Sequence, residues 1–153
     1  MCRYSAGVTS PLYTRDILRL AASIPHRAQL DAPDGEAELR SPTCGSTIRV
    51  AVRLEDGRVA ALSQQVVACA FGQASVALMG AHAIGRSPVE VEQALAEISD
   101  WLAGRRDDPG MWPGLAALAP ARSKTGRHGA ILLPFRALSA AIGKASLGSS
   151  RSS

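Results

Sequence analysis

Aromatic residues are scarce in this 153-residue chain: two Trp, two Tyr and two Phe, 4% of the total. None is interleaved with a basic run. The stacking platform that a single-stranded nucleic-acid binder builds from aromatics and cations is therefore missing. Cysteine is nearly as sparse. Cys2, Cys44 and Cys69 are too few, and odd in number, for a disulfide framework. Neither a CxxC nor an HxxxH spacing occurs, so no zinc-finger pattern is written into the chain. No stretch reaches the ~18 uninterrupted apolar residues of a membrane helix. The opening MCRYSAGVTSPLYTRDILRL carries no charged-then-apolar signal pattern. No Ser-His-Asp or paired-carboxylate spacing is discernible. These absences lead to the expectation of a cytoplasmic protein with neither membrane nor nucleic acid as partner. Its thiols would be free, metal-bound or buried.

Acid is missing from one part of the chain. From Ala119 onward there are six basic residues (Arg122, Lys124, Arg127, Arg136, Lys144 and Arg151) and no carboxylate, so the net +4 hides a preceding part at −2. Such a basic end suits an acidic partner, or is simply a solvated helix face.

What is present reads as one α+β domain. The hydrophobic fraction of 46% and the length suffice for a real core. LYTRDILRLAA, residues 12 to 22, places Leu12, Ile17, Leu18 and Leu20 at near-helical spacing. Pro25, Pro33 and Gly35 then break the helical pattern, and EAELRS alternates as a short strand. TIRVAVRL sets Ile48, Val50, Val52 and Leu54 on one face, and Asp56-Gly57 is the dipeptide of a two-residue hairpin. RVAALSQQVVA returns as a third strand, with either Val59 and Ala61 or Ala60 and Leu62 facing inward. A three-stranded antiparallel meander is the expectation.

Helices come after the sheet. AFGQASVALMGAHAIG is rich in small residues, as for close packing on the sheet. SPVE at 87–90 is a capping box that opens a helix through Val91, Ala94, Leu95, Ile98 and Leu102, with Gly104 placed to end it. After a proline-broken loop come a short helical piece, LAAL, and a last helix, AILLPFRALSAAI, with Pro134 in its first turns. About five helices on the small sheet result. The domain is expected to span 1–142, with 143–153 a disordered Ser-rich tail.

Two of the thiols draw together. Cys69 stands where the third strand gives way to a helix, and the positive end of a helix dipole favours thiolate, the form that ligates metal or attacks sulfur. Cys44 sits in the turn of SPTCGSTIRV, before the second strand. Counted outward from the Asp56-Gly57 turn, residue 44 lies twelve positions back and residue 69 twelve forward, at the same end of the sheet. Buried small hydrophobes would satisfy the same pattern. His26 reads as a loop residue and His82 as a helix residue. His128, just ahead of the last helix, is placed to approach the cysteine pair.

These residues resemble a known family. The order SPTCGSTIRV, a DG hairpin, ACAFGQAS and PARSKTGRHGAILLPFRAL is similar to NifU/IscU-type iron–sulfur cluster assembly scaffolds, over about Leu12 to Ile142. In that family three cysteines hold a nascent [2Fe-2S] cluster or a zinc ion. The first lies in a P-x-C-G-D turn, the second in a C-x-x-x-x-A-S helix start, and the third shortly before the last helix. Cys44 matches the first, and Cys69 with Ala74 and Ser75 the second. Ala130 stands at the third position and Ser46 at the aspartate.

The resemblance implies a SufE/NifU/IscU-like fold and a scaffold or carrier function with no turnover of its own, hence not an enzyme. Its cofactor would be a labile [2Fe-2S] cluster or iron, with zinc as an alternative, at Cys44 and Cys69. A cysteine desulfurase and recipient apo-proteins are the implied partners. A cluster wants about four protein ligands, and two thiols fall short. A homodimer could pool four cysteines, His128 could add a nitrogen ligand, or Cys2 could fold back. Persulfide relay from the desulfurase, or a module that holds no metal, are the other readings.

Overall fold

The computed structural model describes residues 14–41 and 45–152, with side chains as far as Ser146. Cys2, Leu12 and Cys44 lie outside the described residues. Helix α1 spans Arg15–Ala21, capped by the Thr14 hydroxyl, which accepts from Ile17 N at 3.2 Å. Three strands come next, β1 Gly35–Arg40, β2 Thr47–Glu55 and β3 Arg58–Val67, paired antiparallel in the order β1-β2-β3. Then come α2 Ala70–His82, α3 Pro88–Leu102, a 3-10 helix Leu115–Ser123 and α4 Thr125–Ser152. Among the described residues these are four α-helices and one 3-10 helix on a meander, the α+β architecture that the periodicities predict.

The strand alternation decides which face is buried. Ile48, Val50 and Val52 are fully buried, while Arg49 and Arg53 are exposed. On β3 neither inward set foreseen from the sequence holds along the whole strand. The pairing runs Leu54 to Val59 and then Arg53 to Ala61, so Ala60 is an extra residue, a bulge. One inserted residue switches parity: Val59 points inward before the bulge, and Leu62 and Gln64 after it.

Helix α4 covers the buried face, packing on β1 and β2, whereas α2 packs chiefly against α1 and α4 and only secondarily on β3. The small residues of α2 thus serve contact between helices more than contact with the sheet. Close approach of α4 to β1 is fixed at Gly35, where an added Cβ would collide with the Ala141 carbonyl and the Ala145 backbone. The sequence places the end of the fold at Ile142, but α4 continues to Ser152. Leu138, Ala141, Ile142 and Ala145 keep one helical stripe in the core across that boundary. The helix also begins earlier than AILLPF suggests, with only Lys124 separating it from the 3-10 helix. Pro134 therefore lies mid-helix and deprives the Ala130 carbonyl of its usual donor.

Gln64 ties the layers together from inside. It is buried, its Nε2 donating to Pro25 O at 2.9 Å and Val76 O at 3.3 Å, while its backbone N donates to His26 O at 2.8 Å. The loop after α1 is thereby held against β3 and α2.

Candidate functional site

At one end of the sheet three chain segments stop together. The register pairs Arg40 with Thr47, and Thr47 with Val67. The β1–β2 connection and the residues just after β3 are therefore gathered at this end. The connection carries Cys44, and although that residue is outside the described ones, the base of its turn is not. Ser41 N donates to Ser46 O at 2.8 Å and Gly45 N to Ser41 O at 3.1 Å. Gly45 has φ +72°, which glycine adopts without strain. Ser41 and Ser46 are both buried.

Cys69 is the N-cap of α2, with φ −68° and ψ 172°. Its carbonyl accepts the first helical bond from Gln73 N at 2.9 Å, and Gln73 Nε2 returns to Ala68 O at 3.0 Å. The thiol makes no capping hydrogen bond. It is half-buried, packed on the edge of the core, and stands at the positive end of the helix dipole. The bulge shifts the count made from the hairpin by one residue. Continued past Thr47 and Val67, the pairing sets Cys69 across from Gly45.

Ala130 is buried, and it lies one turn of α2 away from Cys69: a Cβ added at Gly72 would stand 3.5 Å from the Ala130 Cβ. The position at which the resemblance sets the family's third cysteine, Ala130 here, thus falls beside the helix start that bears Cys69. Ser75, matched through its motif alone, holds this arrangement, its Oγ donating to Ile131 O at 2.6 Å. That contact locks α2 to α4 at the site, and only the A-S pair after Cys69 signals it in sequence.

His128 lies within α4 and faces elsewhere. Its Nε2 is 3.0 Å from both Ala121 O and Arg122 O. Two carbonyl acceptors require a proton on Nε2, so in the neutral ring only Nδ1 keeps a lone pair. Two residues along a helix lie about 200° apart, which turns His128 to the 3-10 helix while Ala130 turns to α2. His26 is exposed at φ +58°, and the His82 carbonyl accepts from Arg86 Nε at 2.9 Å. Among the described residues no three His, Cys, Asp or Glu side chains converge to hold a metal ion.

The basic end divides by role. Arg122 is structural: its Nε donates to Trp101 O at 3.0 Å, its Nη2 to Arg106 O at 3.1 Å, and its guanidinium lies over the Trp101 ring. Lys124, Arg136 and Lys144 are exposed.

No family model matches the chain. A curated relative, the iron–sulfur cluster assembly scaffold protein IscU of Thermotoga maritima, is 26% identical over 135 residues, covering 88% of this chain and 95% of that protein. The scaffold protein for the SUF system from Fervidobacterium islandicum shares the fold with a TM-score of 0.79, at 17% identity over 86% of this chain and 96% of that one. The N-terminal part of a nitrogen-fixing NifU-like protein from Brucella abortus superposes with a TM-score of 0.84 at 31% identity, covering 89% of this chain and 95% of its own. With that identity over nearly the whole of both chains, and the thiol-bearing end of the sheet built from strand, turn and helix start, the chain belongs to the NifU/IscU-type scaffold family.

Proposed function

We propose that the chain serves iron–sulfur cluster assembly as a scaffold or carrier whose cargo, iron and sulfur, is held labile at Cys44 and Cys69. The observation that carries this reading is Cys69 itself. It is an uncapped, half-buried thiol at a helix start, at the sheet end where the turn of Cys44 is rooted. Thiolates are the usual ligands of a [2Fe-2S] cluster and also suit zinc. A cysteine desulfurase would supply the sulfur and apo-proteins would receive the cluster. The Thermotoga relative bears that scaffold name over nearly the same length of chain. His128 would join as a ligand only through Nδ1, its Nε2–H fixed by the two carbonyls as an outer partner commonly fixes a ligating histidine.

Two thiols leave the cargo under-ligated within one protomer, and lability is the result. That same shortfall favours a second reading, persulfide relay. The desulfurase persulfide would pass its outer sulfur to a thiolate of this chain, one S–S bond breaking as another forms and the desulfurase thiolate leaving. Anaerobic reconstitution with ferrous iron and sulfide distinguishes the two. The scaffold reading expects visible sulfur-to-iron absorption, lost in C44A and in C69A. A colourless, iron-free product would overturn it. A persulfide found by mass spectrometry on metal-free protein, after incubation with desulfurase and cysteine, would move the assignment to relay.

A further inference from the structure

Beside the turn of Cys44, between the end of β1 and the first turns of α4, lies a groove of about 460 Å³. Its size falls within the ~300–1,000 Å³ of small-molecule sites. Leu39 and Leu133 give it apolar walls, and Gly126 and Gly129 present bare backbone. Arg40, at the end of the strand, and Arg136, on the helix, are among its lining residues. Neither guanidinium makes an ion pair among the described residues, although Arg49, Arg58, Arg86, Arg105 and Arg106 all do. Among the described residues no carboxylate lines the groove, and the first turn of α4 carries none. Thr125, Gly129, Leu133 and Arg136 recur at helical spacing, so one face of α4 forms one side of the groove. Nothing in the cluster-holding role, which needs thiolates, uses these residues.

Two cations without a carboxylate partner, on apolar walls with a helix start at one end, define the chemistry that fits. We infer that this groove binds a small organic dianion carrying an apolar stem, a dicarboxylate or a phosphate monoester. Guanidinium forks take either group bidentately, the positive end of α4 adds to their field, and the leucines cover the stem. Screening by water limits a single exposed arginine, which is why two are needed. Both residues belong to regular elements, Arg40 to β1 and Arg136 to α4.

Binding in this groove does not depend on iron or on the cysteines, so it can fail while the scaffold reading stands. Amide and guanidinium NMR of the metal-free full chain, titrated at constant ionic strength with succinate and separately with n-butyl phosphate, tests it. Saturable shifts are expected at Gly126, Gly129 and the Nε–H of Arg40 and Arg136. Whichever probe binds more tightly identifies the acid group. R40Q and R136Q should each weaken binding about tenfold, the loss of one charge-assisted pair, while K144Q, exposed on the same helix but outside the groove, leaves it unchanged. Both arginines are exposed, so the variants keep a native spectrum. Shifts that fail to saturate, or that survive both arginine substitutions, would overturn the proposal. Tight binding of an acidic peptide with no response to either small anion would overturn it too.

Discussion

Ala130 and Ser46 are two side chains in which this molecule differs from the pattern of the family it resembles, Ala130 at the position of the third cysteine and Ser46 at that of the aspartate. Ala130 lies against Gly72, one turn from Cys69, and Ser46 closes the turn that carries Cys44. Restoring them should restore ligation. In S46D/A130C, the added carboxylate and thiolate bring one protomer to four ligand-type groups. Iron should be held tighter by at least the order of tenfold that even an outer partner of a ligand contributes. The measurement is iron retained after reconstitution and desalting, set beside the native chain. Ala130 is 2% exposed, so the extra sulfur should cost about 1 kcal/mol by overpacking, read from the urea midpoint of A130C. Iron retention no better than the native chain's would mean that the thiol end does not form a metal site.

At the scale of elements, α3 shows how much a short motif can specify. SPVE predicts a capping box, and Ser87 and Glu90 form one: Glu90 N donates to Ser87 Oγ at 3.2 Å, and Ser87 N to Glu90 Oε1 at 2.9 Å. That backbone hydrogen bond, reinforced by the Ser87 hydroxyl and by Arg58 at 3.0 Å, and opposed by partial desolvation, holds the Glu90 carboxyl below its ordinary value of 4.5. A carboxyl depressed by folding stabilises the native state above its unfolded value, and that contribution is lost as pH falls through the folded one. Between about pH 5 and about pH 3 the native chain should therefore lose stability more steeply than E90Q, a difference that urea midpoints across the range will report. Parallel slopes would remove Glu90 from the acid limb. The β elements are legible in the same way, because alternation and Asp56-Gly57 are local signals. The bulge at Ala60 is not, since nothing in VAAL marks which alanine is the extra one, and a one-residue slip reverses the faces. The start of α4 escapes a sequence reading for a related reason: Gly126 and Gly129 weaken the helical pattern, while tertiary packing of the helix on β1 and β2 overrides their propensity. Of the site, the thiols and the loss at Ala130 can be read from motif order. The apposition of Ala130 to Gly72 and the groove between Arg40 and Arg136 join residues far apart in the chain, and only folding puts them together.

For the whole molecule the decisive quantity is the number of ligands per cluster. On the proposed scaffold reading one protomer would offer Cys44 and Cys69 where about four ligands are wanted, and a two-fold pair of protomers would double that to four thiolates around one shared cluster. The surface at that end suits such a contact: Val67, next but one before Cys69, is 71% exposed although apolar. Burying it across a two-fold axis would remove apolar area from water and bring the thiol ends face to face. Light scattering on anaerobically reconstituted protein, with iron measured on the same fractions, should show the dimer appear with iron. Its content should be one [2Fe-2S] cluster per two chains, and chelation should return the monomer. C69A should stay monomeric throughout. V67D should weaken the loaded dimer without unfolding the chain, because the exposed end of β3 contributes little to the core. A monomer carrying a complete cluster per chain would place the missing ligands within the protomer and would sink the shared-cluster arrangement.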